Sequence, residues 1–222
     1  MSVAVQNQRR VQPGDPFAEQ RFVIYGVPWE SYEALVDALA DQRVFLTYNK
    51  GTLELMSPSP RHEKIGLLLA RFIHAYTEML RIPLLSLGMT TWKRSDLDKG
   101  LEADQCFYVQ HEAALRHKDQ IDLSIDPPPD LALEVDLSHS SADKEDVYAS
   151  LGVPELWRFE DEQLTATILE GGRYKKMAKS PAFPQLPVEE LTRFLEMRGT
   201  MGETELICAF REWVQQNFLR NG

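Results

Sequence analysis

Two carboxylates on one predicted strand are the side chains best placed for chemistry. The run LALEVDL, residues 131–137, alternates aliphatic residues with Ala132, Glu134 and Asp136. Successive side chains of a strand point to opposite faces, so Glu134 and Asp136 point the same way, roughly 6.6 Å apart along the strand. Carboxylates at this separation can share a divalent cation or flank a water molecule. A strand with one solvated face explains the same pattern without any function.

Residues from three other segments could complete a candidate site. The segment Glu102-Ala103-Asp104 directly precedes a predicted strand, and a neighbouring strand would bring an acid of this segment within about 5 Å of the paired carboxylates. Lys144 falls in the helix predicted after residues 131–137, from which its ammonium could reach the end of the sheet. Glu54, on a hairpin strand before a long helix, could add another acid. The alternatives are a polar loop for Asp104 and a solvated helix lysine for Lys144.

The elements that must position these residues alternate between helices and strands. Apolar spacing and turn residues predict a helix from Trp29, a hairpin at 44–56, a long helix from Pro60 to Leu80, strands at 84–92, 106–109 and 131–137, a helix at 142–151, strands at 155–159, 164–169 and 173–177, and helices at 188–197 and 203–218. This order predicts an α/β fold with a mixed sheet, extended by hairpins at both ends. Residues 1–20 are predicted to form a flexible leader, and 21–222 a single domain.

Composition excludes several classes of protein. At 222 residues with 43% apolar content, the chain can bury one core and is not expected to be disordered. The uncharged stretch between Arg81 and Lys93 is too short for a membrane-spanning helix. The N-terminus lacks an apolar signal segment, so a cytoplasmic location is expected. Cys106 and Cys208 are too few for a disulfide framework and too far apart for a zinc pair.

Charge is distributed unevenly along the chain. The formal net charge of -10 argues against a general nucleic-acid coat, since phosphate binding is driven by lysine and arginine. Residues 95–147 hold four basic and fourteen acidic residues, whereas 57–94 hold six and two. The candidates for phosphate contacts are Arg61, Lys64, Arg71, Lys93 and Arg94. A solvated face is the alternative, and His62 is expected to be a surface histidine at a helix start.

Four motifs resemble the Uma2 family, formerly a domain of unknown function, which is grouped with the PD-(D/E)xK nuclease superfamily. They are YNKGTLELMSPSPRHEKIG, GLEADQCFYVQ, PPPDLALEVDLSHSS and YASLGVPELW, in this order. The resemblance extends from about Val27 to the C-terminal helix. It implies a restriction-endonuclease-like core of order αβββαβ and DNA cleavage that depends on Mg²⁺ or Mn²⁺. Double-strand cutting by a domain with one site would also imply a homodimer.

The resemblance assigns roles to individual residues. It implies that Asp104 and Glu134 are metal-binding acids and that Glu54 is a supporting acid. The proline of the family's Glu-Pro-Asp motif is replaced by alanine before Asp104, which keeps the carboxylate. Asp136 stands at the lysine position of the superfamily's Glu-x-Lys motif. Lys144, in the following helix, fits a catalytic lysine that has moved along the chain.

Two other functions remain open at this stage. A catalytically inactive nuclease fold that binds DNA or a protein partner is favoured by Asp136 and by the negative net charge. A carboxylate-pair hydrolase acting on sugars would need acids roughly 5 to 9.5 Å apart, which the strand spacing permits. No aromatic platform is evident near the acids, so this function ranks last.

Overall fold

A computed structural model describes residues 5–6, 19–138 and 143–219. Most of the predicted leader, residues 1–20, lies outside this part, as do residues 139–142 and with them the predicted start of a helix at 142. Within the described ranges, none of the helices combines the length and apolar character needed to cross a membrane.

Twelve strands and six α-helices make up the described part of the chain. In chain order they are β1 Val5–Gln6, β2 Gln20–Tyr25, α1 Trp29–Leu39, β3 Phe45–Asn49, β4 Thr52–Ser57, α2 Pro60–Leu80, β5 Leu85–Ser86, β6 Thr90–Arg94, β7 Lys99–Ala103, β8 Gln105–Tyr108, α3 Glu112–Leu115, β9 Leu131–Asp136, α4 Lys144–Leu151, β10 Glu155–Glu160, β11 Gln163–Glu170, β12 Arg173–Lys176, α5 Val188–Glu196 and α6 Glu203–Val214. A π-helical turn, Gln215–Leu219, follows α6.

The strands form two six-stranded sheets. Sheet A has the order β1-β2-β4-β3-β7-β6 and is antiparallel throughout. Sheet B has the order β12-β11-β10-β9-β8-β5, in which β9 and β10 are parallel and are connected through α4. The chain passes from sheet A to sheet B between β7 and β8, where Asp104 is the single residue between the two strands. The predicted α/β class with a mixed sheet is confirmed.

Helices cover both faces of sheet B. Leu133 and Val135 of β9 pack with apolar residues of α2, α5 and α6 in the largest core cluster. Ala132, on the opposite face of β9, packs with Val147 and Tyr148 of α4 in a second cluster, which also includes residues of β6 and β7. Glu134 lies on the same face of β9 as Ala132, because strand side chains alternate. The catalytic candidates of β9 therefore face α4 and sheet A.

The start of α2 follows the signals in its sequence. Ser59 is the N-cap, and its Oγ accepts the backbone N–H of His62 at 3.1 Å, while Pro60 occupies the first helical position. The helix ends at Leu80, and the capping residue after it, Arg81, adopts the left-handed conformation. The predicted hairpin is also confirmed, with Lys50 and Gly51 at positive φ between β3 and β4.

One predicted strand is wrong in its extent, and three other strands were missed. Residues 84–92 were predicted as one strand, but they divide into β5 in sheet B and β6 in sheet A. The break contains Gly88, whose φ of +57° suits a turn rather than a strand. The missed strands are β1 and β2, which precede α1, and β7, which contains Glu102 and precedes Asp104.

Candidate active site

Asp104 and Glu134 lie side by side where the two sheets meet. In the antiparallel pairing of β8 with β9, Gln105 is opposite Leu133. Asp104, just before β8, therefore comes opposite Glu134, the residue that follows Leu133 on β9. Asp104 Oδ2 accepts the backbone N–H of Val135 at 2.7 Å. Both carboxylates are buried, with 3% and 2% of their surface exposed. The structure therefore brings together the two acids that the sequence pointed to.

Lys144 and Tyr148 hold the carboxylate of Glu134 from α4. Lys144 Nζ lies 2.5 Å from one carboxylate oxygen of Glu134, and the Tyr148 hydroxyl donates to the other. The two residues are four positions apart, so they share a face of the helix. The helix begins at Lys144 because the Asp143 side chain accepts the backbone N–H of Asp146. All three members of this cluster are buried.

His62 approaches Asp104 from the first turn of α2. Its Nε2 lies 3.2 Å from Asp104 Oδ2, although the geometry is not that of a hydrogen bond. The expectation that His62 is a surface residue is wrong, because only 2% of it is exposed. His62 lies in the first turn of α2, where its backbone N–H donates to Ser59 Oγ. Asp104 Oδ1 is buried and has no hydrogen-bond partner among the described residues.

Burial and mutual charge determine the electrostatics of the cluster. Burial raises the pKa of Glu134 above its usual value, even though the Lys144 ammonium opposes this, and the charge of Asp104 adds to the rise. Burial also acts to raise the pKa of Asp104, but contact with His62 and the charge of Lys144 outweigh it and lower that pKa. For Lys144, burial lowers the pKa and the two carboxylates raise it, with a raised pKa as the net result. Lys144 is therefore a cation beside an ionised Asp104.

A second group of charges is centred on Arg21 of β2. Its Nη1 donates to Glu54 Oε1 at 2.7 Å, and its Nη2 lies 3.3 Å from Asp136 Oδ1 and 2.6 Å from Glu19 Oε1. Glu54 thus belongs to this group. Arg21 is near enough to Lys144 for its charge to act to lower the pKa of Lys144. Sequence reasoning missed Arg21, whose signal was its position two residues before the apolar Val23, which puts both side chains on the same face of a strand.

Four of the five basic residues predicted to contact phosphate are paired with acidic residues. Arg61 and Arg71 of α2 pair with Glu162 and Glu203, Lys93 of β6 pairs with Glu33 at 3.0 Å, and Arg94 pairs with Asp96 at 2.6 Å. Lys64 is exposed and makes no ion pair with the described residues. Acidic partners therefore offset most of the positive charge that the sequence placed in residues 57–94.

The site fits a metal ion that retains water. Across the part of the chain that the structure describes, no three histidine, cysteine or acidic side chains are gathered as a ligand set. Mg²⁺ nevertheless needs only one or two protein carboxylates, together with water and substrate phosphates. The buried, unpartnered Oδ1 of Asp104 is an oxygen of the kind that such an ion prefers. Among the described residues, Asp104 therefore offers a buried oxygen that such an ion could take, and Glu134 is the acid beside it.

A comparison with protein families gives one extended match. The model of the Uma2 family, described as "Putative restriction endonuclease", matches residues 29–199. No curated protein matches the chain. The matched range contains Glu54, Asp104, Glu134 and Lys144, and the family's description supports a nuclease-like function. From the extent of this match, together with a fold consistent with the PD-(D/E)xK superfamily, the chain belongs to the Uma2 family.

Proposed function

We propose that this protein is an endonuclease that hydrolyses phosphodiester bonds in DNA with Mg²⁺ or Mn²⁺ held by Asp104 and Glu134. The observation that carries the proposal is the burial of these two carboxylates side by side, with the Lys144 ammonium 2.5 Å from Glu134. Charges are buried at such a cost that a cluster of this kind is a candidate functional site.

Charge balance supports a bound cation. The two connected groups contain five carboxylates, those of Glu19, Glu54, Asp104, Glu134 and Asp136. The permanent cations among them are Arg21 and Lys144. Burial acts to lower the pKa of His62, but the neighbouring Asp104 outweighs it and raises that pKa overall. Even with His62 protonated, the carboxylates outnumber the cations. A divalent cation would offset that excess, and when bound it would polarise the phosphate and activate water.

The chain's own residues have separate roles in this proposal. The Lys144 ammonium would stabilise negative charge that develops on the phosphate oxygens, because it is held in a site of low water content. Tyr148 donates to Glu134 and restricts its rotamer, so that the carboxylate keeps its direction. Glu54 is a supporting acid that accepts a hydrogen bond from Arg21.

DNA is the proposed partner, and Arg61, Lys64, Arg71, Lys93 and Arg94 are the proposed phosphate contacts. Lys64 is the foremost of these, since no acidic residue in the described ranges pairs with it. A homodimer would place two sites on opposite strands of a duplex. A DNA substrate agrees with the cytoplasmic location expected from the sequence.

A scaffold without catalytic activity is the second candidate. The contacts of Glu134 favour it, because one carboxylate oxygen accepts from Lys144 and the other from Tyr148. Each oxygen that would bind a metal ion therefore already has a hydrogen-bond donor. Titration with Mn²⁺ separates the two functions. A catalytic site would bind the ion saturably and lose that binding in Glu134→Gln, whereas a scaffold would show no saturable binding.

Cleavage assays test the proposed function directly. Purified protein would be incubated with supercoiled plasmid and with single-stranded DNA in Mg²⁺, Mn²⁺ or EDTA. Asp104→Asn and Glu134→Gln should abolish metal-dependent cutting while circular dichroism shows a folded chain. Asp119→Asn is the matched control, since it removes an exposed carboxylate from the same acidic segment. If the wild-type protein cuts neither substrate with either metal, the proposed activity is refuted.

A further inference from the structure

Asp136 occupies the position where the nuclease superfamily has lysine, and it lies beside a guanidinium from another sheet. Arg21 Nη2 is 3.3 Å from Asp136 Oδ1, and its side chain is 9% exposed. Asp136 points to the same face of β9 as Glu134, two residues earlier. The guanidinium of Arg21, on β2, therefore lies next to Asp136, the acid at the superfamily's lysine position.

The contacts of Arg21 join the two sheets at this point. Through Glu54 it is bonded to β4 of sheet A, and through Asp136 to the end of β9 in sheet B. Its Nε also donates to Ser138 Oγ at 2.8 Å, just beyond β9. A guanidinium can make several such bonds at once because its five donors lie in one plane. These contacts anchor the segment of β9 that carries Glu134.

We propose that Arg21 is a positioning residue of the nuclease site, an inference that rests on the proposed function. Its guanidinium is shared among Glu19, Glu54 and Asp136, and through these contacts it holds the end of β9 in place. Arg21 lies before residue 29, where the family match begins. Its role is distinct from that of Lys144, which contacts Glu134 directly.

Loss of Arg21 would have two separable effects. Arg21→Gln leaves Asp136 and Glu54 without this cation, so the carboxylates repel one another and β9 loses its anchor. Arg21 acts on Glu134 through the position of β9 and not by direct contact, so kcat is expected to fall by about 10-fold, the lower end of the effect of groups that orient metal ligands. Mn²⁺ should still bind at least as tightly as to wild type, because removing a nearby cation does not weaken the attraction of the acids for a metal.

A second substitution distinguishes charge compensation from a general structural role. In Arg21→Gln/Asp136→Asn, the acid that Arg21 compensated has lost its charge, so kcat should recover by several-fold relative to Arg21→Gln alone. Arg21→Lys keeps the charge but not the planar set of donors, and its kcat should lie between wild type and Arg21→Gln. Arg211→Gln is the matched control, since it removes a guanidinium and an exposed ion pair that joins α6 to α2.

The experiment measures kcat and KM on plasmid, the Kd for Mn²⁺, and the melting temperature for wild type and all four variants. The proposal is supported if kcat falls in Arg21→Gln while Mn²⁺ binding is retained, and if Asp136→Asn restores part of kcat. It is overturned if Arg21→Gln has the kcat of wild type, or if the double variant is no more active than Arg21→Gln although folded at the assay temperature. Wild-type protein that neither cuts nor binds Mn²⁺ would instead refute the proposed function itself, and the role of Arg21 with it.

Discussion

Replacing Lys144 with methionine is expected to lower the free energy of unfolding by about 3–5 kcal/mol, the usual cost of removing one partner from a buried ion pair. Lys144 and Glu134 are 7% and 2% exposed, so water cannot take the place of the lost ammonium. Methionine keeps most of the length of the side chain and removes its charge. Among the described residues, Glu134 would then retain only the Tyr148 hydroxyl as a donor. In a chain of this size, the loss corresponds to a fall in melting temperature of roughly 6–20 °C.

Urea and thermal unfolding in EDTA at neutral pH measure this effect without a contribution from bound metal. Lys144→Met/Glu134→Gln should be less destabilised than Lys144→Met, because no uncompensated carboxylate remains at position 134. Lys175→Met is the control: Lys175 and Glu170 form an exposed pair at 3.0 Å, so its cost should stay below about 1 kcal/mol.

Two results would refute the reasoning. Lys144→Met could unfold within about 1 kcal/mol of wild type, which is the cost of an exposed pair rather than a buried one. Alternatively, the double variant could be as unstable as Lys144→Met. That outcome would mean that the loss comes from packing of the lysine stem and not from the charge left on Glu134.

Three further predictions concern other parts of the molecule. Gly100→Ala should destabilise the fold by about 1–3 kcal/mol in urea unfolding, since a Cβ there would overlap the Tyr32 hydroxyl; a wild-type midpoint would contradict this. Burial raises the pKa of Glu155, despite hydrogen bonds from Ser180, Ala182 and Trp157, so the folded chain binds more protons than the unfolded chain between the two pKa values. The free energy of unfolding should therefore fall as pH rises through that window. Glu155→Gln should reduce this fall in unfolding experiments from about pH 4 to about pH 8. Identical pH profiles for variant and wild type would show that Glu155 is not the cause. Lys64→Ala should reduce the salt dependence of DNA binding by about one unit in the slope of log Kd against log salt, and an unchanged slope would remove Lys64 from the phosphate contacts.

Local features of the sequence were sufficient for several elements. Ser59 and Pro60 mark the start of α2, and Asn49, Lys50 and Gly51 mark the turn of the hairpin, because caps and turns depend on residues a few positions apart. The alternation in residues 131–137 also placed Glu134 on the face of β9 opposite the aliphatic residues. These predictions needed no knowledge of which strands become neighbours.

The division into two sheets could not be derived in this way. Residues 84–92 resemble one strand, yet they supply one strand to each sheet, and β7 was missed because its residues show no clear alternation. Which strands pair depends on contacts between distant segments, and a local pattern does not contain them.

For the candidate site, the sequence by itself determined the acids and the lysine, since residue type and position in the chain are local properties. Only the tertiary structure placed Asp104 at the crossing between the sheets, turned His62 inward and brought Arg21 to Asp136, 115 positions along the chain. The reason is physical: a buried charge is tolerated only beside its partners, and those partners are chosen by the packing of whole sheets and helices.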